Sequence, residues 1–286
     1  MFDVGVLLTG IVRGTIYGLM AAGFSLIFGV TDICDFSYGQ YAMLGSYIAY
    51  FTYVFTGSPF LAVILAIIGT FIIGIVSDLL VITPVRGKSP DWIRLVMINT
   101  IGLSIFLENF ALVVWTPDYR SATYFEGSLK LPFMVIGLDR LYAFIMAIVL
   151  FAAIYYFLNK TMMGKAFMAI SQDAEAAKMM GINVDKYYTL SHGIGAMLAG
   201  AAGGLLLPIF MAYPTVGLPY IIISFAVVIF GGFGSIEGSI VAGLLLGITE
   251  AIVTAVFTTE YADFVAYVVI MVVLLLRPSG LLGRVD

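Results

Sequence analysis

Four charged side chains lie inside stretches that are otherwise apolar and long enough to cross a lipid bilayer: Arg13, Asp78, Glu108 and Glu250. A charge in hydrocarbon is costly, so such a residue normally faces the protein interior, a neighbouring subunit or a water-filled path. Two interpretations are open for each of them. The residue contacts a solute that crosses the membrane, or it belongs to a structural pair or to a helix end near the lipid headgroups.

The other residues offer little for catalysis. A single cysteine, Cys34, excludes a disulfide within this chain and a cysteine-rich metal site, and the single histidine, His192, is more typical of a packed, hydrogen-bonded residue than of a proton carrier. The Gly-Lys-Ser sequence at 87–89 matches the end of a phosphate-binding loop, but such a loop needs a glycine where Ile82 stands. We therefore expect no catalytic residue, cofactor, metal or bound ATP in this chain.

Composition sets the class of protein. Apolar residues make up 62% of the 286 residues and charged residues only 10%, whereas soluble domains carry roughly 25% charged residues. The mean hydropathy is +1.10. The net charge of -4 comes from scattered residues at the edges of apolar runs, so it excludes a nucleic-acid-binding face and indicates a polytopic membrane protein.

Nine apolar runs have about the length needed to cross some 30 Å of hydrocarbon. They cover residues 4–30, 38–56, 60–82, 95–115, 139–158, 189–213, 219–231, 238–257 and 262–276. The sequence therefore predicts an all-α polytopic membrane protein with eight or nine transmembrane helices in one domain over 1–286. The first twenty residues lack the basic-then-apolar order of a cleaved signal peptide, so we expect them to begin the first span.

Glycines recur every four residues in three of these runs, a spacing that predicts helices whose backbones touch. The set comprises Gly10, Gly14 and Gly18, then Gly200 and Gly204, and finally Gly243 and Gly247. Such contacts belong either to the core of one subunit or to an interface with a second subunit. The spacing alone leaves both locations open.

Two interruptions, 31–40 and 230–238, break the apolar pattern, the first with Asp32 and Asp35. Irregular backbone is tolerated at membrane depth only where it lines a cavity or is buried by protein. The first interruption is therefore either a cytoplasmic turn or a break inside the membrane. Paired interruptions in two halves of a transporter point towards a substrate path, although the weak internal match leaves a true repeat open.

The stretch 159–188 is a polar island between two apolar runs. It predicts two short helices separated by 171–173, the second beginning at the N-cap Asp173 and ending at Gly181 in the left-handed C-cap position. Met180 belongs to an adaptable apolar knob beside a charged rim, which suits the groove of a partner. The alternative is an amphipathic helix that lies on the lipid surface.

Positive charge fixes the orientation, because Lys and Arg resist translocation and stay in the cytoplasm. One side of the membrane receives the loop 83–94, the island 159–188 and the C-terminus, which together hold nine of the thirteen basic residues. The segments 119–138 and 258–262 fall outside. The island therefore faces the cytoplasm. The basic residues on the inner side are Arg86, Lys88, Arg94, Lys160, Lys165, Lys178, Lys186, Arg277 and Arg284.

Several motifs resemble, in order along the chain, the permease subunits of branched-chain amino acid type ABC importers. They are GTIYGLMAAGFSLIFGV, DFSYGQYAMLGSY, INTIGLSIFLENF, MGKAFMAISQDAEAAKMMGINVDKY, AVVIFGGFGSIEGSIVAGLLLGITEA and RPSGLLGR. Order and length are similar to the first of the two permeases of such systems. The resemblance implies a multi-pass protein of the bacterial inner membrane that works with a homologous second permease, two cytoplasmic ATPases that bind ATP and Mg, and a periplasmic solute-binding protein.

The resemblance implies a coupling role for one set of residues, and the two interruptions with the buried acids indicate a second set on a translocation path. Coupling to an ATPase would fall to Lys165, Ala169, Asp173, Ala177, Met180 and Gly181. The translocation path would include Asp35, Phe36, Tyr38, Gly39, Gln40, Glu108, Phe230, Gly232, Gly234 and Glu250. This chain departs from the family pattern where Tyr-Gly-Gln at 38–40 replaces the common His-Gly-Glu, and where a glutamate at 108 replaces the more typical glutamine, which puts a shared polar solute contact there in doubt.

The sequence does not identify the transported solute, because importers of this kind take their selectivity mainly from the binding protein. A branched-chain or other amino acid fits a largely apolar path, and urea or a short amide is the alternative within the family. An ion-coupled secondary transporter that uses Glu108 or Glu250, and a passive channel or scaffold, are the alternatives from other classes.

Overall fold

The computed structural model describes residues 4–131 and 134–256, together with residues 268, 271, 275, 280 and 281. Most of the predicted run 262–276, the predicted outer segment 258–262, and the basic residues Arg277 and Arg284 lie outside this part of the chain.

Ten α-helices and one short hairpin make up the described residues. The helices are α1 (Val4–Thr31), α2 (Tyr38–Thr56), α3 (Pro59–Ser77), α4 (Trp92–Trp115), α5 (Leu138–Lys160), α6 (Met162–Ile170), α7 (Ala174–Met179), α8 (Val184–Leu206), α9 (Gly217–Gly231) and α10 (Ile236–Val256). A π-helical segment, Asp78–Ile82, extends α3, and a 3-10 turn, Pro214–Val216, precedes α9. The two antiparallel strands are β1 (Ser128–Leu131) and β2 (Met134–Gly137).

The predicted all-α membrane fold is confirmed. Seven helical segments in the described part of the chain are long and apolar enough to cross a membrane. An eighth predicted run is α2, which is less apolar but is buried almost continuously from Tyr38 to Tyr47 by other helices. The predicted run 189–213 is shifted, because α8 begins at Val184 and ends at Leu206. The β1–β2 hairpin lies in the predicted outer loop and was not expected.

Contacts between loops define the two faces of the bundle. On one face Arg86 lies 3.9 Å from Asp185, and a Cβ added to Gly29 would lie 3.1 Å from Gly234. On the other face the Tyr53 hydroxyl donates to the Thr123 carbonyl at 2.6 Å. The first face carries the basic loops, so it is cytoplasmic under the charge rule, and α1 begins on the outer side.

The glycine spacing reflects packing inside one subunit. A Cβ added to Gly14 would lie 2.6 Å from the carbonyl oxygen of Gly243, and one added to Gly247 would lie 2.4 Å from the Cα of Gly14. Helices α1 and α10 therefore touch backbone to backbone. Gly45 of α2 meets Gly200 of α8 in the same manner. The first of the two locations left open by the sequence, the core of the subunit, is the one that the structure has.

The interruption before α2 lies below the cytoplasmic surface. The Phe36 amide donates to Thr100 Oγ1 at 3.2 Å, and Gln40 Nε2 donates to Ser104 Oγ at 3.2 Å. These two acceptors stand two and three turns into α4, which places the start of α2 roughly 12–18 Å from the cytoplasmic end of that helix. The segment 32–37 is thus a break inside the membrane, in which Ile33, Asp35 and Ser37 are buried and Asp32 is exposed.

Helix α9 also begins inside the bundle. With the 3-10 turn before it, this helix makes an 18-residue segment, which is the shortest of the seven. A Cβ on Gly39 would lie 2.0 Å from the carbonyl oxygen of Gly217, so the first turns of α2 and α9 are in direct contact. Two helix N-termini therefore meet near the middle of the membrane.

Candidate translocation path and coupling surface

The contact between α2 and α9 is built from residues with different roles. Tyr38 is fully buried, its hydroxyl donates to the Met20 carbonyl at 2.6 Å, and it ties α2 to α1. Gly39 has no side chain because the backbone of α9 occupies that space. Gln40 is 2% exposed, its Nε2 bonds Ser104, and its Oε1 is buried without a hydrogen-bond partner among the described residues. Gln40 is thus the residue here with hydrogen-bonding capacity to spare.

A carboxylate of this chain, that of Asp35, already lies at one of the two helix N-termini that meet here. The N-terminal end of a helix carries unpaired N–H groups and the positive end of the helix dipole. The starts of α2 and α9 bring two such ends together, and broken helices of this type hold the carboxylate of a solute in other transporters. Phe36 is half-buried and stacks on Phe225 at a ring distance of 5.5 Å, which adds an apolar surface beside the polar one.

Asp35 closes the turn that leads into α2. Its Oδ1 accepts from the Ser37 amide at 2.8 Å and from Ser37 Oγ at 2.5 Å, while its Oδ2 is buried without a hydrogen-bond partner in the described part of the chain. A carboxylate that receives two local donors shapes the backbone. Asp35 therefore positions the break, whatever else it contacts.

The second interruption lies elsewhere. Gly232 and Gly234 form the turn between α9 and α10, at the cytoplasmic end of α9, and Phe233 packs on Phe28 with ring centroids 4.5 Å apart. Phe230 is buried beside this turn. The turn stands fourteen residues, or about 21 Å of helix, from the start of α9. The turn therefore lies against the last residues of α1, where the first interruption begins, and not against the start of α2.

The two membrane glutamates have different surroundings. Glu250 Oε1 accepts from Arg13 Nη1 at 3.0 Å, and the two side chains are 11% and 19% exposed. Arg13 also stacks over the ring of Phe210 at 4.9 Å. This pair joins α1 to α10. Glu108 lies half-buried on α4, next to a largely exposed apolar surface of that helix.

The polar island forms the two predicted helices, α6 and α7. Asp173 Oδ1 accepts from the Ala176 amide at 2.9 Å, which is the predicted N-cap. At the other end Gly181 has φ +86°, and the Ile182 amide reaches back to the Ala177 carbonyl at 3.1 Å. This left-handed ending is the reason for a glycine at 181. The connecting segment is shorter than predicted, 161–183 rather than 159–188.

The two faces of the island differ. Its inner face is anchored to the bundle by Phe167, which is 1% exposed and meets Tyr187 edge to face at 5.2 Å, and by the buried Ala177. Its outer face presents Met179 and Met180, which are 87% and 84% exposed. An anchored base and a flexible apolar tip are what a docking surface needs.

The six residues expected to couple to an ATPase divide between these faces. Lys165, Asp173, Met180 and Gly181 are exposed, and Ala169 is half-buried. Ala177 points inwards, so its contribution is to packing of α7 against the bundle.

A buried polar cluster beside α7 went largely unrecognised in the sequence. Asp78 was singled out as a charge in an apolar run, and His192 as a packed residue, and the structure confirms that His192 is buried and hydrogen-bonded. It adds Arg86 and Thr189, both of which bond to Asp78. The available signal was the 185, 188, 189, 192 spacing of polar and aromatic residues at the start of α8.

Comparison with known proteins identifies the family of this chain. The family model described as "Branched-chain amino acid transport system / permease component" matches residues 6–274. The chain belongs to this family. It is 30% identical to the high-affinity branched-chain amino acid transport system permease protein LivH of Salmonella typhimurium, over 96% of this chain and 94% of that one. Its identity to the corresponding protein BraD of Pseudomonas aeruginosa is also 30%, over 97% and 95%.

A solved structure supports the fold. PsaBC from Streptococcus pneumoniae, in complex with Fab, superimposes with a TM-score of 0.52 over 94% of this chain and 89% of that chain, at 15% identity. The chain is therefore a multi-pass permease subunit of the bacterial inner membrane, from a family of transport proteins rather than of enzymes.

Proposed function

We propose that this permease moves a branched-chain or other amino acid inwards as part of an ATP-driven importer. Its partners are a homologous second permease, two cytoplasmic ATPases and a periplasmic solute-binding protein. The chain itself holds no cofactor, and ATP and Mg are bound and used in the ATPases. The whole chain, 1–286, acts as one transmembrane domain. The observation that carries the proposal is the anchored, methionine-tipped pair of helices α6 and α7 on the cytoplasmic face.

The solute class rests on three supports. Relatives that match almost the full chain are named for branched-chain amino acid transport. The joined N-termini of α2 and α9 favour a carboxylate. The rings of Phe36 and Phe225 beside them offer an apolar surface. A zwitterion with an aliphatic side chain fits all three, since its own charges cancel and its side chain needs little polar contact.

Coupling follows from how α7 is held. Ala177 and the Gly181 ending fix α7 to the bundle, so a force on the exposed methionines reaches α8 across the short segment 181–183. ATP-driven closure of the ATPases then displaces α6 and α7 together. The path opens where α2 and α9 begin, with Gln40 and Phe36 in contact with the solute.

The test is a Gly181→Pro change in the complete complex. Proline cannot adopt φ +86° and lacks the N–H that Gly181 donates to the Lys178 carbonyl at 3.0 Å. We expect a complex that assembles in the membrane but no longer couples hydrolysis to uptake of labelled L-leucine. The matched control is Gly57→Pro, which removes a similar left-handed helix ending, φ +65°, on the outer face.

Each outcome has a clear meaning. Lost uptake in the Gly181→Pro complex together with retained uptake in the Gly57→Pro complex supports the coupling role. Normal uptake by the Gly181→Pro complex refutes it. An absence of leucine, isoleucine and valine uptake by the unmutated complex, with uptake of urea or an amide, refutes the solute class, and uptake that persists without ATP refutes the importer.

A further inference from the structure

The first turns of α8 follow directly from the coupling helices. Asn183 caps α8, with its Oδ1 accepting from the Lys186 amide at 3.2 Å, and only two residues separate that cap from Met180. Because the link is short and capped, α8 has little freedom to move independently of α7. Whatever the start of α8 touches will respond to a displacement of α7.

One face of the first turns of α8 lies against the ion pair that Arg86 forms with Asp78. Asp185, Tyr188, Thr189 and His192 have the i, i+3, i+4, i+7 spacing of one helix face. The first two meet Arg86, at 3.9 Å to Asp185 and with the guanidinium 5.0 Å from the Tyr188 ring centroid. The other two meet Asp78. Four side chains of α8 therefore contact the Asp78–Arg86 ion pair at the end of α3.

Asp78 is the centre of this cluster. It is completely buried and accepts from Thr189 Oγ1 at 2.5 Å, from Arg86 Nη2 at 2.6 Å and from Thr83 Oγ1 at 3.0 Å. His192 Nδ1 lies 3.3 Å from Asp78 Oδ1 and 3.1 Å from the Tyr188 carbonyl. Both neighbours of that nitrogen are acceptors, so it carries the proton. Asp78 also begins the π-helical segment, a local geometry that is frequent at functional sites.

The break before α2 is linked to the helices that carry this cluster. Ser37 Oγ is hydrogen-bonded to the Tyr41 hydroxyl at 3.1 Å, which joins the break to the first turn of α2. Ser37 Oγ also donates to Asp35 of the break. Helix α2 packs against both α3 and α8, so the helices that hold the cluster also contact the helix that begins at the break.

Two atoms at this junction have hydrogen-bonding capacity that is not used. His192 Nε2 and Asp35 Oδ2 are both buried without a hydrogen-bond partner among the described residues. An unsatisfied buried polar atom is costly in any single state. A shift of α8 that gave these two atoms hydrogen-bond partners would therefore be favoured. Transmission of a signal requires an element with two discrete arrangements.

We propose that Thr189, His192, Asp78 and Arg86 are positioning residues that transmit the displacement of the coupling helices to the break before α2. The inference rests on the proposed importer function and specifies its internal link. Without the Thr189–Asp78 bond, α8 moves without moving the end of α3, and the break no longer follows the nucleotide state.

The experiment uses the complete complex and a Thr189→Val change, which keeps the shape of the side chain and removes the hydroxyl. Thr189→Ser retains the hydroxyl. Ser191→Ala is the control on the same helix, because Ser191 is buried but bonds only the Tyr188 carbonyl of its own helix, at 2.7 Å. The measurements are ATP hydrolysis with and without leucine-loaded binding protein, co-purification of the subunits, and the melting temperature.

We expect the Thr189→Val complex to assemble, with basal hydrolysis unchanged and its stimulation by loaded binding protein reduced about tenfold, within the usual range of coupling between two sites. Thr189→Ser restores the stimulation and Ser191→Ala keeps it. Normal stimulation of ATP hydrolysis in the Thr189→Val complex overturns the proposed link but leaves the proposed function standing. A loss of stimulation in Thr189→Val that is also present in Thr189→Ser overturns the link in the same way. No stimulation in the unmutated complex overturns the proposed function, and the link with it.

Discussion

Replacing Gly203 by alanine tests the close packing of the buried helices. A Cβ on Gly203 of α8 would lie 2.0 Å from the carbonyl oxygen of Ala42 on α2, whereas ordinary van der Waals contacts begin at 3.4 Å. The obstacle is main chain, so no rotamer change relieves it. The two helices must separate by more than 1 Å, and α2 carries the start of the proposed path.

The expected size of the effect follows from two opposing contributions. Overpacking a tight core destabilises by about 1–3 kcal/mol, and the site here is at the severe end because backbone meets backbone. Alanine is favoured over glycine in a helix by about 1 kcal/mol. A net loss of about 2 kcal/mol lowers the melting temperature of a chain of this size by roughly 4–8 °C.

The assay is thermal unfolding of the purified protein, with Gly102→Ala as the matched control. Gly102 lies inside α4 with no atom near the position of a Cβ, so only the helix preference acts and the melting temperature should stay level or rise. A Gly203→Ala protein as stable as the unmutated one, or equal losses in both variants, would refute the packing argument.

Two further predictions concern individual polar residues. Glu250→Gln should leave Arg13 unpaired and destabilise the protein by roughly 2 kcal/mol, between the ~0.6 kcal/mol of an average interhelical hydrogen bond in a membrane and the ~3–5 kcal/mol of a fully buried pair. An Arg13→Gln, Glu250→Gln double variant should recover most of that stability and retain leucine uptake; recovered stability without uptake would place Glu250 on the path. In a Cys34→Ser background, Gln40→Cys should react with a small water-soluble thiol reagent in one nucleotide state and be protected in another, because Gln40 stands at the start of the proposed path. Ser46→Cys lies six residues further along α2, where the native hydroxyl bonds only the Met43 carbonyl of the same helix, and should stay unreactive. Equal protection of Gln40→Cys in every state would make the start of α2 purely structural.

Local signals in the sequence were sufficient for the coupling helices. Asp173 and Gly181 act within one turn of the helix that they bound, so the cap and the left-handed ending could be predicted without knowledge of the rest of the fold. The same is true of the apolar runs, since hydrocarbon of fixed thickness demands a fixed length of helix. The observed helix boundaries differ from the predicted ones by a few residues, as at the start of α8.

Depth in the membrane could not be predicted in this way. Asp32 and Asp35 give the break the appearance of an ordinary surface turn, yet Asp35 is completely buried, and the Phe36 amide beside it donates to Thr100 of α4. The sequence carries no sign that α9 begins against Gly39, because that contact joins residues almost 180 positions apart. Whether both interruptions line one substrate path stays a prediction.

Composition, the length of the apolar runs, the side on which basic residues lie and the caps of α7 were determined by the sequence alone, because each depends on solvent or on neighbours within a turn. Tertiary structure decided which partners the buried charges have. Asp78 meets Thr189 and Glu250 meets Arg13 only after helices distant in the chain pack together, and a charge in a membrane is stabilised by contacts that no local pattern contains.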